Sequence, residues 1–458
     1  MKKIMRLLFF GNYITIAFMF LQNDKSVGEG QGNQEANDNL HQIRYVSRSN
    51  DLVEGVQKSE TSLIDDNSSC SSTESNSSAA ITAEEWYLEE PRWGPGLKAC
   101  PEIRLASVEL YERLALDMEL TVQRLIQQDN YNTIGNFVRF YDDYLATSLI
   151  YHPELLRLSN FYRNYVPQLL DTEKTCVGLG LSLLHRLNRE FGPSPGIHLV
   201  SSEEGVEDLM PYRDVHPSKV EGTEKEHVMV CMRVCIEEDG QERRGVLLLD
   251  PGYHVARAIT VMYDMMYPHT GWFTQCEEPW VKKEFCYYFA PPNSDGSQSD
   301  YVVWETKETR AGGRVRQTNS LVYVGQPFIN AVEVTEKRNL VYEMRSWLSR
   351  NTKGEIVAGV YFPVRSLKIL PSEEDGPKFT LRYTELRHKT RTTIPFSKLY
   401  YNKLNEEESE QIERCNRQMG LNKGHLKSVL TKVALILSDT VFVEQLLDIN
   451  NEINCLVS

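Results

Sequence analysis

The chain has 458 residues, a formal net charge of −14, 41% hydrophobic and 25% charged residues. That length allows two domains, or one large domain with a tail. The acidic balance excludes general nucleic-acid binding, because affinity for phosphate needs a surplus of Lys and Arg. Nine cysteines (Cys70, Cys100, Cys176, Cys231, Cys235, Cys276, Cys286, Cys415 and Cys455) follow no repeating framework, a distribution that leans toward reduced thiols rather than a disulfide scaffold.

At the start of the chain, Lys2, Lys3 and Arg6 precede the apolar run Leu7–Leu21. Residues 1–22 therefore read as a signal-like or anchor-like segment, with a plain N-terminal extension and initiation at Met5 as the alternative. The first reading implies a secretory or membrane-associated protein and the second a cytoplasmic one. Membrane contact is expected only through these residues, since no other stretch is long and apolar enough to span a bilayer. Residues 23–83 are rich in Ser, Asn, Asp, Glu and Gly, too poor in apolar side chains to offset chain entropy, and are expected to be disordered. Asn67 and Asn76 each begin an Asn-x-Ser sequon there.

Order is expected from about Trp86, with Pro91–Gly96 as a turn. The segment 84–225 reads as a helical subdomain. Apolar spacing predicts helices over 103–128, Ile134–Leu149, Leu155–Leu170 and Cys176–Phe191. After residue 225 the pattern becomes β-prone, and 226–400 reads as an antiparallel β subdomain. Strands are predicted at 228–234, 245–249, Tyr301–Lys307, Val315–Val324, Ile356–Leu370 and Phe379–Leu386. Turn residues Glu237-Glu238-Asp239-Gly240 and Ala311-Gly312-Gly313 close hairpins. Residues 401–458 return to helix, over Glu406–Met419 and His425–Leu447. This order describes an α+β architecture.

One constellation carries chemistry. Cys176 opens a predicted helix behind Asp171, Thr172 and Thr175 as candidate caps, where free backbone N–H groups and the helix dipole favour a thiolate and offer an oxyanion hole. Gly178 and Gly180 leave room for another element or a substrate to approach. His227 begins the first strand of the hairpin and Asp250 ends the second. A turn centred on Glu238-Asp239 makes them direct cross-strand partners, and a shift of two residues leaves them diagonal neighbours. Each residue alone has a plainer reading: a buried inert thiol, a surface strand histidine, a turn aspartate. Together they compose a nucleophile, a base and an orienting carboxylate.

Other groupings are weaker. A zinc site from His227, Cys231 and Cys235 fails because four strand residues span about 13 Å. His185 falls near the opposite helix face from Cys176; His198 and His254 stay as reserve bases. Arg382, Arg387, Lys389, Arg391 and Lys398 form a basic stretch, read as a solvated strand and loop or, more sharply, as a phosphate contact for a coenzyme A thioester.

The order of a cysteine at a helix start, His227-Val228-Met229-Val230 at a strand start and Leu247-Leu248-Leu249-Asp250-Pro251-Gly252 at a strand end resembles the arylamine N-acetyltransferase family, among the papain-like and transglutaminase-like thiol enzymes. The likeness covers about residues 100–400. It implies a helical first part, a β-barrel-like central sheet and an α/β lid. It also implies Cys176 as the acylated nucleophile, His227 as base and Asp250 as its partner, with acetyl-CoA as co-substrate and no bound cofactor or metal. Lys174-Thr175-Cys176-Val177-Gly178 departs from the family's Arg-Gly-Gly before the cysteine, and Pro251-Gly252-Tyr253 from its Val-Gly-Phe-Gly. The spacings of 51 residues from Cys176 to His227 and 23 from His227 to Asp250 are wider than the family's. The expectation is acyl transfer from a thioester to a small-molecule amine. The alternatives are a transglutaminase-like or peptidase-like centre acting on a protein amide, and an inactive binding scaffold.

Overall fold

The computed structural model describes residues 88–96, 101–149, 157–192, 196–220, 226–367, 376–386 and 388–457. The expected segments 1–22 and 23–83, the sequons and Trp86 lie outside them. No helix among the described residues is long and apolar enough to cross a membrane.

Ser107 starts the first helix, α1 (Val108–Gln128), by accepting the Leu110 N–H at 3.3 Å. The expected helix over 103–128 thus loses its first turn to a strand, β1 (Ile103–Leu105), whose Ile103 and Leu105 are buried. The fourth helix, after α2 (Thr133–Ser148) and α3 (Leu158–Asn164), is α4 (Cys176–Phe191), with the bounds its apolar stripe predicts. The third is shorter than expected, because the chain runs extended into Pro167.

Among the described residues, nine strands form the larger sheet. Besides β1 these are β3 (Ile197–Glu203), β4 (His227–Glu238), β5 (Gln241–Leu249), β6 (Ile259–Met262), β7 (Phe273–Glu278), β8 (Val281–Phe289), β9 (Tyr301–Arg310) and β10 (Val315–Tyr323). Their order is β6-β5-β4-β3-β10-β9-β8-β7, antiparallel throughout, with β1 added parallel to β4 beyond the end of β3. The sheet curls into a half-barrel. Its inner face packs Met229, Val246, Phe285, Tyr287 and Trp304 together, and its outer face sets Val228, Val230 and Leu247 against α1 and α4. A strand buried on both faces has no reason to alternate polar and apolar residues, which accounts for the unbroken run Val228–Met232.

The second sheet runs β14-β13-β12-β11-β2, from β2 (Tyr131–Asn132), β11 (Met344–Arg350), β12 (Ile356–Pro363), β13 (Lys378–Glu385) and β14 (His388–Pro395). Between the sheets the chain makes a wide turn, Val332–Glu336, and a single helical turn, α5 (Lys337–Asn339). α6 (Phe396–Tyr400), α7 (Glu406–Gln418), α8 (His425–Ser438) and α9 (Thr440–Val457) complete the chain. One apolar core joins this sheet to α2, α3, α7, α8 and α9 through residues such as Phe137, Phe140, Val360, Leu430 and Phe442. The expected helix His425–Leu447 divides at Asp439, whose side chain accepts the Phe442 N–H at 3.0 Å. The architecture is α+β, with a helical N-terminal part, a curled antiparallel sheet and C-terminal helices.

Residue 225 is not a packing boundary. The segment read as helical also supplies β1, β2 and β3, and β3 lies in the middle of the large sheet. Gly245 on β5 has no room for a side chain: a Cβ there stands 2.4 Å from the Val261 carbonyl oxygen and 2.8 Å from Met262 Sδ. Gly245→Ala is expected to destabilise the protein by about 1–3 kcal/mol, read as a lowered thermal midpoint.

Candidate active site

Three contacts fix the tip of α4. Thr175, its N-cap, accepts the Val177 N–H at 3.2 Å and donates its hydroxyl proton to the buried Glu336. Glu336 in turn accepts from Asn136 Nδ2 at 2.7 Å, and burial pushes its carboxyl up to about 7, with Thr175 opposing. The Asn132 N–H donates to the Lys174 carbonyl at 2.8 Å, tying β2 and the second sheet to the same tip. Cys176 is the first helical residue, so its N–H has no intrahelical acceptor. Gly180 lets the helix lie close on β3: a Cβ there meets Leu199 Cδ2 at 3.0 Å.

The β4–β5 hairpin turns at Asp239-Gly240, both with positive φ (49° and 76°), as a two-residue loop requires. Val230 consequently faces Leu249, a register two residues from the symmetric expectation. His227 and Asp250 are diagonal rather than direct partners, and they meet through their side chains. His227 Nε2–H donates to Asp250 Oδ1 at 3.0 Å, and the Tyr253 N–H donates to the same oxygen at 3.0 Å. Asp250 is fully buried and, among the described residues, its Oδ2 has no hydrogen-bond partner.

With Nε2 committed to Asp250, Nδ1 is the ring nitrogen left for Cys176, which lies close enough to raise the ring's affinity for its proton. Gly252 lies against both groups: a Cβ on it would stand 2.7 Å from His227 Cε1 and 2.8 Å from Cys176 Cβ. Burial, the largest influence on His227, favours the neutral ring. The charge and hydrogen bond of Asp250, joined by Cys176, outweigh it and hold the imidazolium well above the usual histidine range. Tyr253 packs edge-on against His227 with centroids 4.7 Å apart, and against Trp304 at 4.9 Å.

Cys176, His227 and Gly252 form one wall of a cavity of about 220 Å³. The other walls include Tyr131, Tyr253 and Tyr342, the carboxylates of Glu204 and Glu226, and Arg338 and Asn339. Asn339 directs its Nδ2 at the Cys176 sulfur, 3.8 Å away. Arg350, buried at the end of β11, donates to Pro251 O at 2.8 Å, His254 Nδ1 at 2.7 Å and Asp129 O at 2.6 Å, pinning the 250–254 loop to α1 and the second sheet.

The reserve bases fall away. Burial and the charge of Arg350 lower His254 well below the ordinary histidine value, and its Nδ1 is occupied by Arg350. His198 lies on β3 opposite Cys231, outside the cavity, and burial lowers it to about 4. His185 is exposed. The basic stretch is used elsewhere. Arg382 and Lys389 reach Glu278 at 3.1 and 4.0 Å, Lys398 reaches Glu408 at 2.5 Å, and Arg391 lies over Tyr361; Arg387 is outside the described residues. None of the four described cations lines the cavity.

Against known proteins, the chain matches no family model, no curated protein and no solved structure. The chemistry therefore rests on these groups alone. Sequence reasoning missed Asn339, Glu204 and Arg350, which are distant along the chain and carry no motif. It noted Gly252 and Tyr253 only as a departure from the family's pattern and gave them no role, although their place directly after Asp250 was visible.

The raised His227 value makes the charged pair a stabilising element that is fully present below about pH 6.5, the ordinary value, and is lost as pH rises through the folded-state value. In Asp250→Asn, burial acts without that opposition. Histidine-selective NMR is expected to find His227 titrating above the ordinary value in the wild type and below it in Asp250→Asn.

Proposed function

We propose that the protein is a cysteine-nucleophile acyltransferase that carries an acyl group on Cys176 as a thioester and delivers it to an amine. The observation that carries this reading is the meeting of Cys176 and His227 in the wall of one cavity, with a fully buried Asp250 bonded to the ring from behind.

In this scheme His227 holds the thiol proton on Nδ1, stabilised through Nε2–H by Asp250. The thiolate attacks the donor's acyl carbon, and the oxyanion lies between the Cys176 N–H and Asn339 Nδ2. Collapse expels the donor's thiolate, which takes the proton from His227 and leaves as a thiol. The acceptor amine then attacks the thioester and gives a proton to His227. The second collapse releases the amide and restores the Cys176 thiolate. The order of these residues along the chain resembles that of arylamine N-acetyltransferases, which makes acetyl-CoA the first donor to try.

A second reading, transglutaminase-like or peptidase-like with an amide as donor, uses the same groups. It is favoured by the commitment of Arg382, Lys389 and Lys398 to Glu278 and Glu408, away from where a coenzyme diphosphate would call for cations.

Incubation with acetyl-CoA is expected to add the mass of one acetyl group, mapped to Cys176. Cys176→Ala should carry none, and His227→Ala should acquire it about a hundredfold more slowly or worse. Adduct formation with an activated amide but not with acetyl-CoA selects the second reading. No adduct from either donor, or one confined to another cysteine, contradicts both.

A further inference from the structure

The cavity beside Cys176 has more negative groups than the acyl-transfer scheme uses. Glu204 follows β3 and sits within electrostatic reach of both His227 and Asp250. Its Oε1 accepts the Tyr253 hydroxyl at 2.5 Å, and among the described residues Oε2 takes no hydrogen bond from the protein. Glu226 is a second carboxylate in the same wall. Tyr131, Tyr253 and Tyr342 complete that part of the lining. Among the described residues the one guanidinium in the lining is engaged on α9: Arg338 donates to Asn450 at 2.9 Å and to Asn454 at 2.6 Å, and lies over Tyr342.

We infer that the acceptor is an alkylammonium, a protonated aliphatic amine, held by Glu204 among the tyrosine rings, rather than a neutral arylamine. This rests on the acyl-enzyme reading above. Carboxylates and tyrosine rings in a partly enclosed space both attract a cation, through direct charge and through the negative ring faces. A neutral arylamine can offer a carboxylate only a hydrogen bond and gains none of the charge attraction.

The chemistry also needs a second base for such a substrate. An alkylammonium must lose one proton before it can attack and another as the amide forms, whereas an arylamine is already neutral at pH 7. Glu204 takes the first proton, and the free amine attacks the thioester carbon. The amine then passes its second proton to His227, which is neutral in the acyl-enzyme, while Cys176 leaves as thiolate and Glu204 returns its proton to water. Burial, the largest influence on Glu204, pushes its carboxyl above the usual range, with His227 and Tyr253 opposing; that direction suits a carboxylate that must accept a proton near neutrality.

The test uses the full chain. p-Nitrophenyl acetate, which needs no coenzyme recognition, loads the enzyme, and intact mass with peptide mapping reports acetyl on Cys176. The loaded protein is then discharged at pH 7 with n-butylamine or with aniline, at matched total concentrations. The wild type is expected to discharge about tenfold or more faster with n-butylamine, and E204Q to lower the butylamine-to-aniline ratio by about tenfold, with E204D retaining most of it. Discharge that favours aniline in the wild type, or a ratio unchanged in E204Q, overturns the inference alone. Absence of acetyl on Cys176 overturns the acyl-enzyme reading and this inference with it. If E204Q does not fold, the wild-type ratio decides.

Discussion

A carboxylate removed from water must be neutralised or paired, and Asp250 is removed completely. One of its oxygens is shared between the His227 ring and the Tyr253 amide, and the other has no hydrogen-bond partner among the described residues. The proton that best compensates this buried charge is the one on His227. Asp250 therefore does more than orient an imidazole. It makes the charged ring the favourable state in a setting where burial alone would keep the ring neutral. A thiol can give its proton to such a ring without creating an unpaired charge, because the imidazolium that forms is paired with Asp250, which is the condition for a cysteine nucleophile in a partly enclosed cavity.

The rest of the fold holds that arrangement from two directions. The large sheet supplies His227 at the start of β4 and Asp250 directly after β5 and backs α4, so the sulfur and the ring come from elements packed in one core. The second sheet grips the same place from the other side: β2 bonds the backbone before Cys176, and Arg350 bonds the loop after Asp250. The turn and helical segment between the sheets contributes Glu336 behind the helix cap and Asn339 above the sulfur. Neither sheet alone makes the site. At Gly252 a single methyl group would collide with the ring and the cysteine together.

Much of this was legible in the residues. Apolar spacing located α4 and its first residue, because an amphipathic helix with a Thr cap announces its start. The hairpin was legible from its turn residues, but its register depended on which pair adopts positive φ. Asp239-Gly240 does so more easily than Glu238-Asp239, and the difference moves His227 and Asp250 from opposite to diagonal positions. Short strands were invisible for a physical reason. β1 and β2 have three and two residues and are defined by their partners rather than by their own pattern. Asn339, Glu204 and Arg350 could not be assigned because their roles come from contacts between elements far apart in sequence, in a wall that forms only when both sheets close on α4.

The central claim is that the Cys176 thiol gives its proton to the His227 ring and that Asp250 holds the imidazolium so formed, across a gap that Gly252 leaves open. The rate of Cys176 alkylation by iodoacetamide at pH 6.5, followed by peptide mass mapping, tests it most directly. The account predicts that Cys176 reacts before the other cysteines. It also predicts that His227→Gln and Gly252→Ala each slow that reaction by about tenfold or more while the fold persists by circular dichroism. Equal rates in the wild type and His227→Gln, with both proteins folded, would contradict it.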